Sequence, residues 1–342
     1  MTLQICWLVL LGLLLAGYFV LGGYDYGVQM LHPLLDSPDG RPAQRPGARN
    51  AALDAMAPFF LGNEVWLVAF AGVLFGAFPH LEGHLLSGLY PLVVAILLGL
   101  VVGGAAVQLR GRARGARARR WWGALIVCGG ALPALCWGLV IGLLLHGVPR
   151  RADGSFHIGL PEVGTPFVLG CGATAVLLFA AHGAAFVALR QAPERARTAR
   201  QLGARLVRAA GAVGLLPLLL TLFGAGAAVR NHTTAALLVA ALAAACAGAW
   251  WFLTHGHRTA AFAATCCATL LPVPLVFAGH YPYLMTTPSG AGLTIDEAVT
   301  DQATLTILSA FGVLVVPAIL AYQAWSWWAF RGRTGQRHPH YF

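Results

Sequence analysis

Long stretches of this chain, each of 20 or more residues, carry almost no charged side chain, and this feature limits what the chain can fold into. A helix rises 1.5 Å per residue, so about 20 apolar residues cross the roughly 30 Å hydrocarbon core of a bilayer. Only 10% of the residues are charged, against about 25% in an average soluble domain. The runs of Leu, Ala, Val and Gly also lack the alternation of a membrane β-barrel. The sequence therefore predicts an all-α integral membrane protein.

The pattern predicts about nine transmembrane helices within a single polytopic membrane domain, residues 1–342. The predicted helices lie near residues 3–34, 51–78, 83–108, 121–146, 164–189, 206–229, 233–254, 259–281 and 303–330. The loops between them are too short to bury a core of their own. We therefore expect any function to reside in the membrane or at a partner protein.

The distribution of arginine predicts the orientation of the chain. All 22 basic residues are arginine, and with nine helices all but Arg150, Arg151 and Arg230 fall on one side. Positive residues collect in cytoplasmic loops, so the amino terminus is predicted outside and the carboxyl terminus in the cytoplasm. The formal charge of +10 is therefore interpreted as topology and not as a nucleic-acid surface. The dense basic loop at 110–120 fits the same role, with binding of anionic lipid head groups as the alternative.

Three carboxylates within the predicted helices are the candidate chemical groups, because charge inside hydrocarbon costs roughly 2.5–3.5 kcal/mol on insertion scales. They are Asp25, Asp54 and Glu64. The predicted orientation puts Asp25 and Asp54 nearer the cytoplasmic side and Glu64 about 15 Å deeper than Asp54. Such a ladder is typical of a proton path. The alternative is a structural cluster that ties the first two helices together by hydrogen bonds.

Histidine is the other residue type that could hold a cofactor, because buried haem needs axial ligands such as His or Met. His182, inside the fifth helix, is the strongest single candidate, although a lone helical histidine is more often a packing residue. Two pairs, His255 with His257 and His338 with His340, lie at a helix end and in the tail. A metal site would need further converging ligands, so none is expected.

Four segments in register resemble the second subunit of cytochrome bd-type quinol oxidases. GYFVLGGYDYGVQMLHPLL (17–35) is similar to the first helix of that family, and APFFLGNEVWLVAFAGVLFGAFP (57–79) to its most distinctive stretch. The continuation HLLSGLYPLVVAILLGLVVGGAAVQLR also matches. HYPYLM, LTIDEA and the final VVPAILAYQAWSWWAF resemble its closing loop and ninth helix. The resemblance spans the whole chain.

The resemblance implies a heterodimer in the cytoplasmic membrane of a prokaryote that oxidises quinol and reduces dioxygen to water. In this family, subunit I holds haem b, haem d and the quinol-oxidising loop. The second subunit has no haem ligands, folds as two four-helix bundles plus one additional helix, and stabilises its partner. It can also hold a quinone, contribute to proton or oxygen access, and be joined by small accessory subunits. The chain alone is therefore not expected to be catalytic.

The resemblance also assigns roles to single residues. Asp25 matches an acidic position of the first-helix motif, which Tyr24 and Gly27 support. Asn63, Glu64 and Trp66, with the preceding Gly62, match the core of the second motif, and Trp66 corresponds to a position near the oxygen entrance.

Two departures from the family pattern affect the predicted proton path. The first acidic position of the family's first helix is Gly22 here, and an acid implicated in its proton route is Leu61. Leucine cannot bind or release a proton, so either Asp25 and Glu64 carry the remaining proton traffic or the partner supplies it. A different class, a proton- or cation-coupled transporter that binds its ion at Asp25 and Glu64, is the alternative function. Such folds usually contain internal repeats with matching broken helices, and no counterpart to Gly22 and Gly23 is found.

Overall fold

The computed structural model describes residues 2–35, 51–113 and 115–332, and within them nine helical segments are long and apolar enough to cross a membrane. The helices are α1 (Thr2–Leu35), α2 (Ala51–Ala77), α3 (Pro79–Gly88), α4 (Tyr90–Leu109), α5 (Ala116–His146), α6 (Leu160–Val163), α7 (Pro166–Arg190), α8 (Pro193–Leu222), α9 (His232–His255), α10 (Arg258–Leu270), α11 (Pro272–His280), α12 (Ile295–Ala298) and α13 (Gln302–Ala329). Together, α10 and α11 form one span, whereas α3, α6 and α12 are short helices between spans. The predicted all-α membrane fold with nine spans is confirmed for the described residues.

Several arginines that support the predicted orientation, and the histidine pair of the tail, lie outside the described part of the chain. They are Arg41, Arg45, Arg49, Arg114, Arg333, Arg337, His338 and His340.

Proline and capping residues set several helix boundaries. Proline occupies the first turn of α3, α4, α7, α8 and α11, where the missing N–H costs no intrahelical bond. Asp301 caps α13, and its Oδ1 accepts hydrogen bonds from the backbone N–H groups of Ala303 and Thr304, both at 3.0 Å. These caps satisfy donors that the first turn leaves without helical partners.

The third and sixth spans differ from the predicted boundaries. The third was predicted to begin at 83, but α3 ends at Gly88 and a separate helix, α4, begins at Tyr90. The sixth was predicted at 206–229, but α8 runs from Pro193 to Leu222. It starts earlier because arginine-rich sequence is compatible with a helix outside the bilayer, and Arg200 donates to the carbonyl of Leu253 at 3.1 Å.

The early end of α8 has a local cause. Thr221 Oγ1 accepts a hydrogen bond from the backbone N–H of Ala227 at 3.1 Å, and Gly224 adopts a φ of +77°. A backbone turned back in this way cannot continue a helix. The apolar residues that follow α8 therefore form a turn in place of a last helical turn.

The core of the molecule forms where α1 packs against α2, α5, α7 and α10. Small residues allow the closest approach: a Cβ at Gly27 would collide with the backbone of α7 at Phe179 and Gly183. The outermost span is α13, in which only 6% of the most apolar window is buried. This position fits the additional helix of the predicted arrangement.

Loops at one end of the bundle form a hydrogen-bonded layer. It contains an antiparallel pair, β1 (Tyr283–Thr286) with β2 (Gly292–Thr294). Backbone bonds join Val148 to Thr286 at 2.7 Å and Ile158 to Gly88 at 3.2 Å. These are the loops predicted from the arginine distribution to face outside. The structure therefore places loops that were predicted to share one side at the same end of the bundle. The orientation itself stays a prediction.

Candidate functional site

The carboxylate of Asp25 lies at the contact between α1 and α2 and is almost fully buried, with 3% of the residue exposed. Its Oδ2 accepts a hydrogen bond from Asn63 Nδ2 at 2.8 Å. Its Oδ1 is buried and has no hydrogen-bond partner among the described residues. Within the described part of the chain, the carboxylate is therefore held through one oxygen only.

Asn63 holds this region of the two helices together. Its Nδ2 lies 2.7 Å from Tyr24 Oη and 3.3 Å from the carbonyl of Leu21, in addition to the bond to Asp25. The Tyr24 ring stacks on Phe186 of α7 at 4.1 Å between centroids. Buried amides form such bonds because an unmet donor in hydrocarbon is costly. The hydrogen bonds expected of a structural cluster between the first two helices are thus present. They do not include Asp25 Oδ1.

Glu64 follows Asn63 on α2 and lies beside the same site. It is half-buried and lines a narrow cavity together with Asp25, Tyr26 and Gln29. The cavity has room for about one water molecule. Two carboxylates from different helices therefore share one small space within the apolar spans.

The structure adds the relative height of Asp25 and Glu64, with Asp25 in the half of α1 that leads to the predicted cytoplasmic end. The hydrogen bond to Asn63 places Asp25 level with Glu64, and about 15 Å from the end of α1 at Leu35. Asp54, in the first turn of α2, is nine residues before Asn63, a rise of about 14 Å. Sequence position alone did not give the height at which α1 and α2 contact. In the structure, the acids of the predicted ladder form a pair at one level, Asp25 and Glu64, and Asp54 lies nearer the end of α2.

Trp66 lies one turn beyond Asn63 and is held by the last span. Its Nε1 donates to Gln323 Oε1 of α13 at 3.2 Å, and Gln323 Nε2 lies 3.5 Å from Asn63 Oδ1. The indole occupies space beside Gly17, where a Cβ would collide with the ring. Gln323 was missed from sequence, although a glutamine within an apolar span is a detectable signal.

The remaining motif residues pack at helix contacts. Gly62 lies against Tyr322 of α13, since a Cβ there would be 3.1 Å from its Oη. Leu61 is 62% exposed and does not line the cavity beside Asp25. The position that lost its acid is thus on the outer surface of this chain.

His182 is fully buried, and both ring nitrogens are occupied. Nε2 lies 2.8 Å from the carbonyl of Val20, and Nδ1 lies 2.8 Å from Thr265 Oγ1. The ring stacks on Phe262 at 5.1 Å. An axial ligand needs a free ring nitrogen, so the geometry gives His182 a role in linking α7 to α1 and α10.

No cluster of three or more His, Cys, Asp or Glu side chains suited to a metal ion occurs within the described ranges. His255 and His257 both stack on Trp251, at 4.4 and 5.7 Å between centroids. Their packing on an aromatic surface accounts for their proximity.

Acidic residues outside the spans serve the loops and caps. The Thr304 hydroxyl donates to Asp301 Oδ2 at 2.6 Å, and this bond, with the backbone N–H groups of the first turn of α13, lowers the pKa of Asp301. The Ser155 hydroxyl and N–H similarly lower the pKa of Asp153. Both groups are on the surface and separate from the buried pair.

Comparison with curated proteins finds relatives along the whole chain. Cytochrome bd ubiquinol oxidase subunit 2 of Bacillus subtilis (strain 168) is 26% identical over 340 residues, covering 99% of this chain and 98% of that protein. Cytochrome bd-I ubiquinol oxidase subunit 2 of Escherichia coli (strain K12) is 28% identical over 367 residues, covering 97% and 95%.

The fold also matches a solved structure. The bd oxidase from Geobacillus thermodenitrificans aligns with a TM-score of 0.71 at 18% sequence identity, covering 94% of this chain and 98% of that one. The model of the family "Cytochrome bd terminal oxidase subunit II" matches residues 3–330. The chain therefore belongs to the cytochrome bd terminal oxidase subunit II family and is a subunit of an oxidoreductase complex that contains haem and a subunit I.

Proposed function

We propose that this chain serves its oxidase by handling protons and stabilising the haem-bearing subunit, with no redox centre of its own. The observation that carries the proposal is the pair formed by Asp25 and Glu64, which share a narrow cavity while one oxygen of Asp25 has no hydrogen-bond partner among the described residues. Family membership favours this reading over an ion-coupled transporter.

The chemistry of the complex gives the pair a task. Reduction of dioxygen to water consumes protons as well as electrons, and protons must cross part of the hydrocarbon to reach a buried reaction site. Carboxylates bridged by water can pass protons in turn. Asp54, about 14 Å from Asn63 along α2, marks the end predicted to be cytoplasmic, where protons would enter.

The haem groups are proposed to belong entirely to subunit I as haem b and haem d. The support from this chain is that the strongest histidine candidate, His182, already uses both nitrogens in bonds to Val20 and Thr265. The substrates of the complex would be quinol and dioxygen, and its location the cytoplasmic membrane of a bacterium. The resemblance extends the proposal to a bound quinone, lipid contacts and small accessory subunits.

Trp66 is proposed as a wall of the oxygen route. Its indole nitrogen donates to Gln323 at the contact between α2 and α13. Its ring packs beside Gly17, where a Cβ would collide with it. A rigid aromatic group at this place would shape an apolar passage, which suits an apolar gas.

Oxygen consumption by the purified complex tests the proton-handling role. Asp25→Asn and Glu64→Gln remove the titratable group with little change of shape, and Asp153→Asn is the matched control on an exposed loop. We expect at least a several-fold loss of quinol-driven turnover in the first two variants and none in the control, with haem content unchanged. Full turnover in both cavity variants would remove the proposal.

A further inference from the structure

Gln29 is a buried polar residue for which neither the family resemblance nor the fold gives a reason. It lies one helical turn after Asp25 on α1, within the apolar span, and is 3% exposed. Side-chain amides are costly in hydrocarbon unless every polar atom finds a partner. Its Oε1 is buried without a partner among the described residues.

Glycines on two other helices make room for this side chain. A Cβ at Gly103 of α4 would be 2.6 Å from Gln29 Oε1, and a Cβ at Gly130 of α5 would be 2.8 Å from Gln29 Cβ. At the same crossing, Gly129 packs directly on the backbone of Gly103. The glycines thus leave a recess that fits the Gln29 side chain, whose oxygen has no partner in the ranges that the structure describes.

The second unpaired acceptor of this region belongs to the same cavity. Asp25 Oδ1 and Gln29 Oε1 are both buried without partners in the described part of the chain, and both residues line the narrow cavity that Glu64 also lines. A molecule that donates one hydrogen bond to each oxygen would pair both acceptors. Water does so, and the cavity has room for about one.

We propose that Gln29 Oε1 and Asp25 Oδ1 hold an ordered water molecule that connects Asp25 to Glu64, with Gln29 as its positioning residue. The water donates to both oxygens, and its own oxygen accepts from the carboxyl group of Glu64 when that group is protonated. The proton transfer in this inference rests on the proposed function, whereas the bound water stands on the geometry alone.

The transfer step balances without any further reactant. The O–H bond of protonated Glu64 breaks as its proton joins the water oxygen, and an O–H bond of the water breaks as that proton joins Asp25 Oδ1. Glu64 is left as a carboxylate, Asp25 as the neutral acid, and the water is regenerated. Gln29 gains and loses no proton; it orients the water so that one of its hydrogens faces Asp25.

Infrared spectroscopy of the purified oxidase complex tests the bound water directly. We expect a water O–H stretching band that shifts in H₂¹⁸O, is lost in Gln29→Met and persists in Thr269→Val. The control is matched because Thr269 is also buried and its hydroxyl bonds within its own helix, at 3.1 Å to the carbonyls of Thr265 and Cys266. An unchanged band in Gln29→Met, or no isotope-sensitive band in the unmodified complex, overturns the proposal.

A density map of the unmodified complex covers the case in which Gln29→Met fails to assemble. We expect a density peak within hydrogen-bond distance of both Gln29 and Asp25. A direct bond from the Gln29 amide N–H to Asp25, with no peak between them, contradicts the proposal. Loss of the water band with turnover unaffected would keep the water site and refute only the proton-handling role.

Discussion

The bond between Asn63 and Asp25 gives the sharpest test of how the first two helices are joined. Asn63→Leu removes a donor at 2.8 Å from Asp25 Oδ2 and 2.7 Å from Tyr24 Oη while keeping the branching and the number of side-chain heavy atoms. Neither oxygen of Asp25 would then be paired within the described part of the chain. Tyr24 is affected less, because its hydroxyl loses a donor but keeps its aromatic packing.

The magnitude follows from the environment of the bond. Interhelical hydrogen bonds in a membrane average about 0.6 kcal/mol and reach about 1.7 kcal/mol, whereas a bond to a charged group contributes about 1.5–3 kcal/mol. The Asn63–Asp25 bond is buried and involves a carboxyl group, so we expect a coupling energy of about 1–2 kcal/mol.

A double-mutant cycle measures this coupling. The variants Asn63→Leu, Asp25→Leu and their combination would be unfolded by detergent as assembled complexes, and the free energies of unfolding compared. Asn231→Leu is the matched control, because Asn231 Nδ2 donates to the carbonyls of Ala278 and Tyr281 at 2.9 and 3.1 Å and touches neither acid. Additive effects for Asn63 and Asp25, with a coupling energy below about 0.3 kcal/mol, would refute the reasoning.

Three further predictions concern other parts of the fold. Gly27→Ala should lower the yield of folded complex and cost about 1–3 kcal/mol or more, because its Cβ meets the α7 backbone, whereas Gly72→Ala, with open space around it, should not. The cap at Asp301 has a lowered pKa, so its stabilisation of α13 should be full above the ordinary pKa of aspartate and be lost as the pH falls through the lower folded value. Amide exchange at Thr304 checks this, and Asp301→Ala should abolish the pH dependence. His182→Gln should weaken the complex but leave its haem absorption intact, and loss of a haem band would contradict the assignment.

The sequence was sufficient for the fold class and for the nine membrane spans of the described residues, because hydrocarbon thickness sets the length of an apolar span. It also singled out Asp25 and Glu64 as candidate residues, since charged side chains are rare in such spans, and their role stays a prediction. The boundary of α8 was missed because an arginine-rich helix that extends beyond the bilayer resembles a loop in composition.

The level at which two helices meet could not be obtained from one sequence. Asp25 and Glu64 face the same cavity because α1 and α2 pack in a particular register, fixed by Asn63 and by glycine contacts with α7. The contacts of two glutamines became apparent only in the structure, which places Gln29 against α4 and α5 and Gln323 against α2. Polar residues within apolar spans are visible in sequence, but their partners are not.

Proton uptake during a single turnover tests the central claim most directly. The fully reduced complex would be mixed with dioxygen in the presence of a pH-sensitive dye, and Asp25→Asn and Glu64→Gln compared with the exposed-loop control Asp153→Asn. We expect proton uptake to slow at least several-fold in both cavity variants and to be unchanged in the control. Uptake at the unmodified rate in both cavity variants, with haem content intact, would show that protons bypass this subunit and would contradict the account.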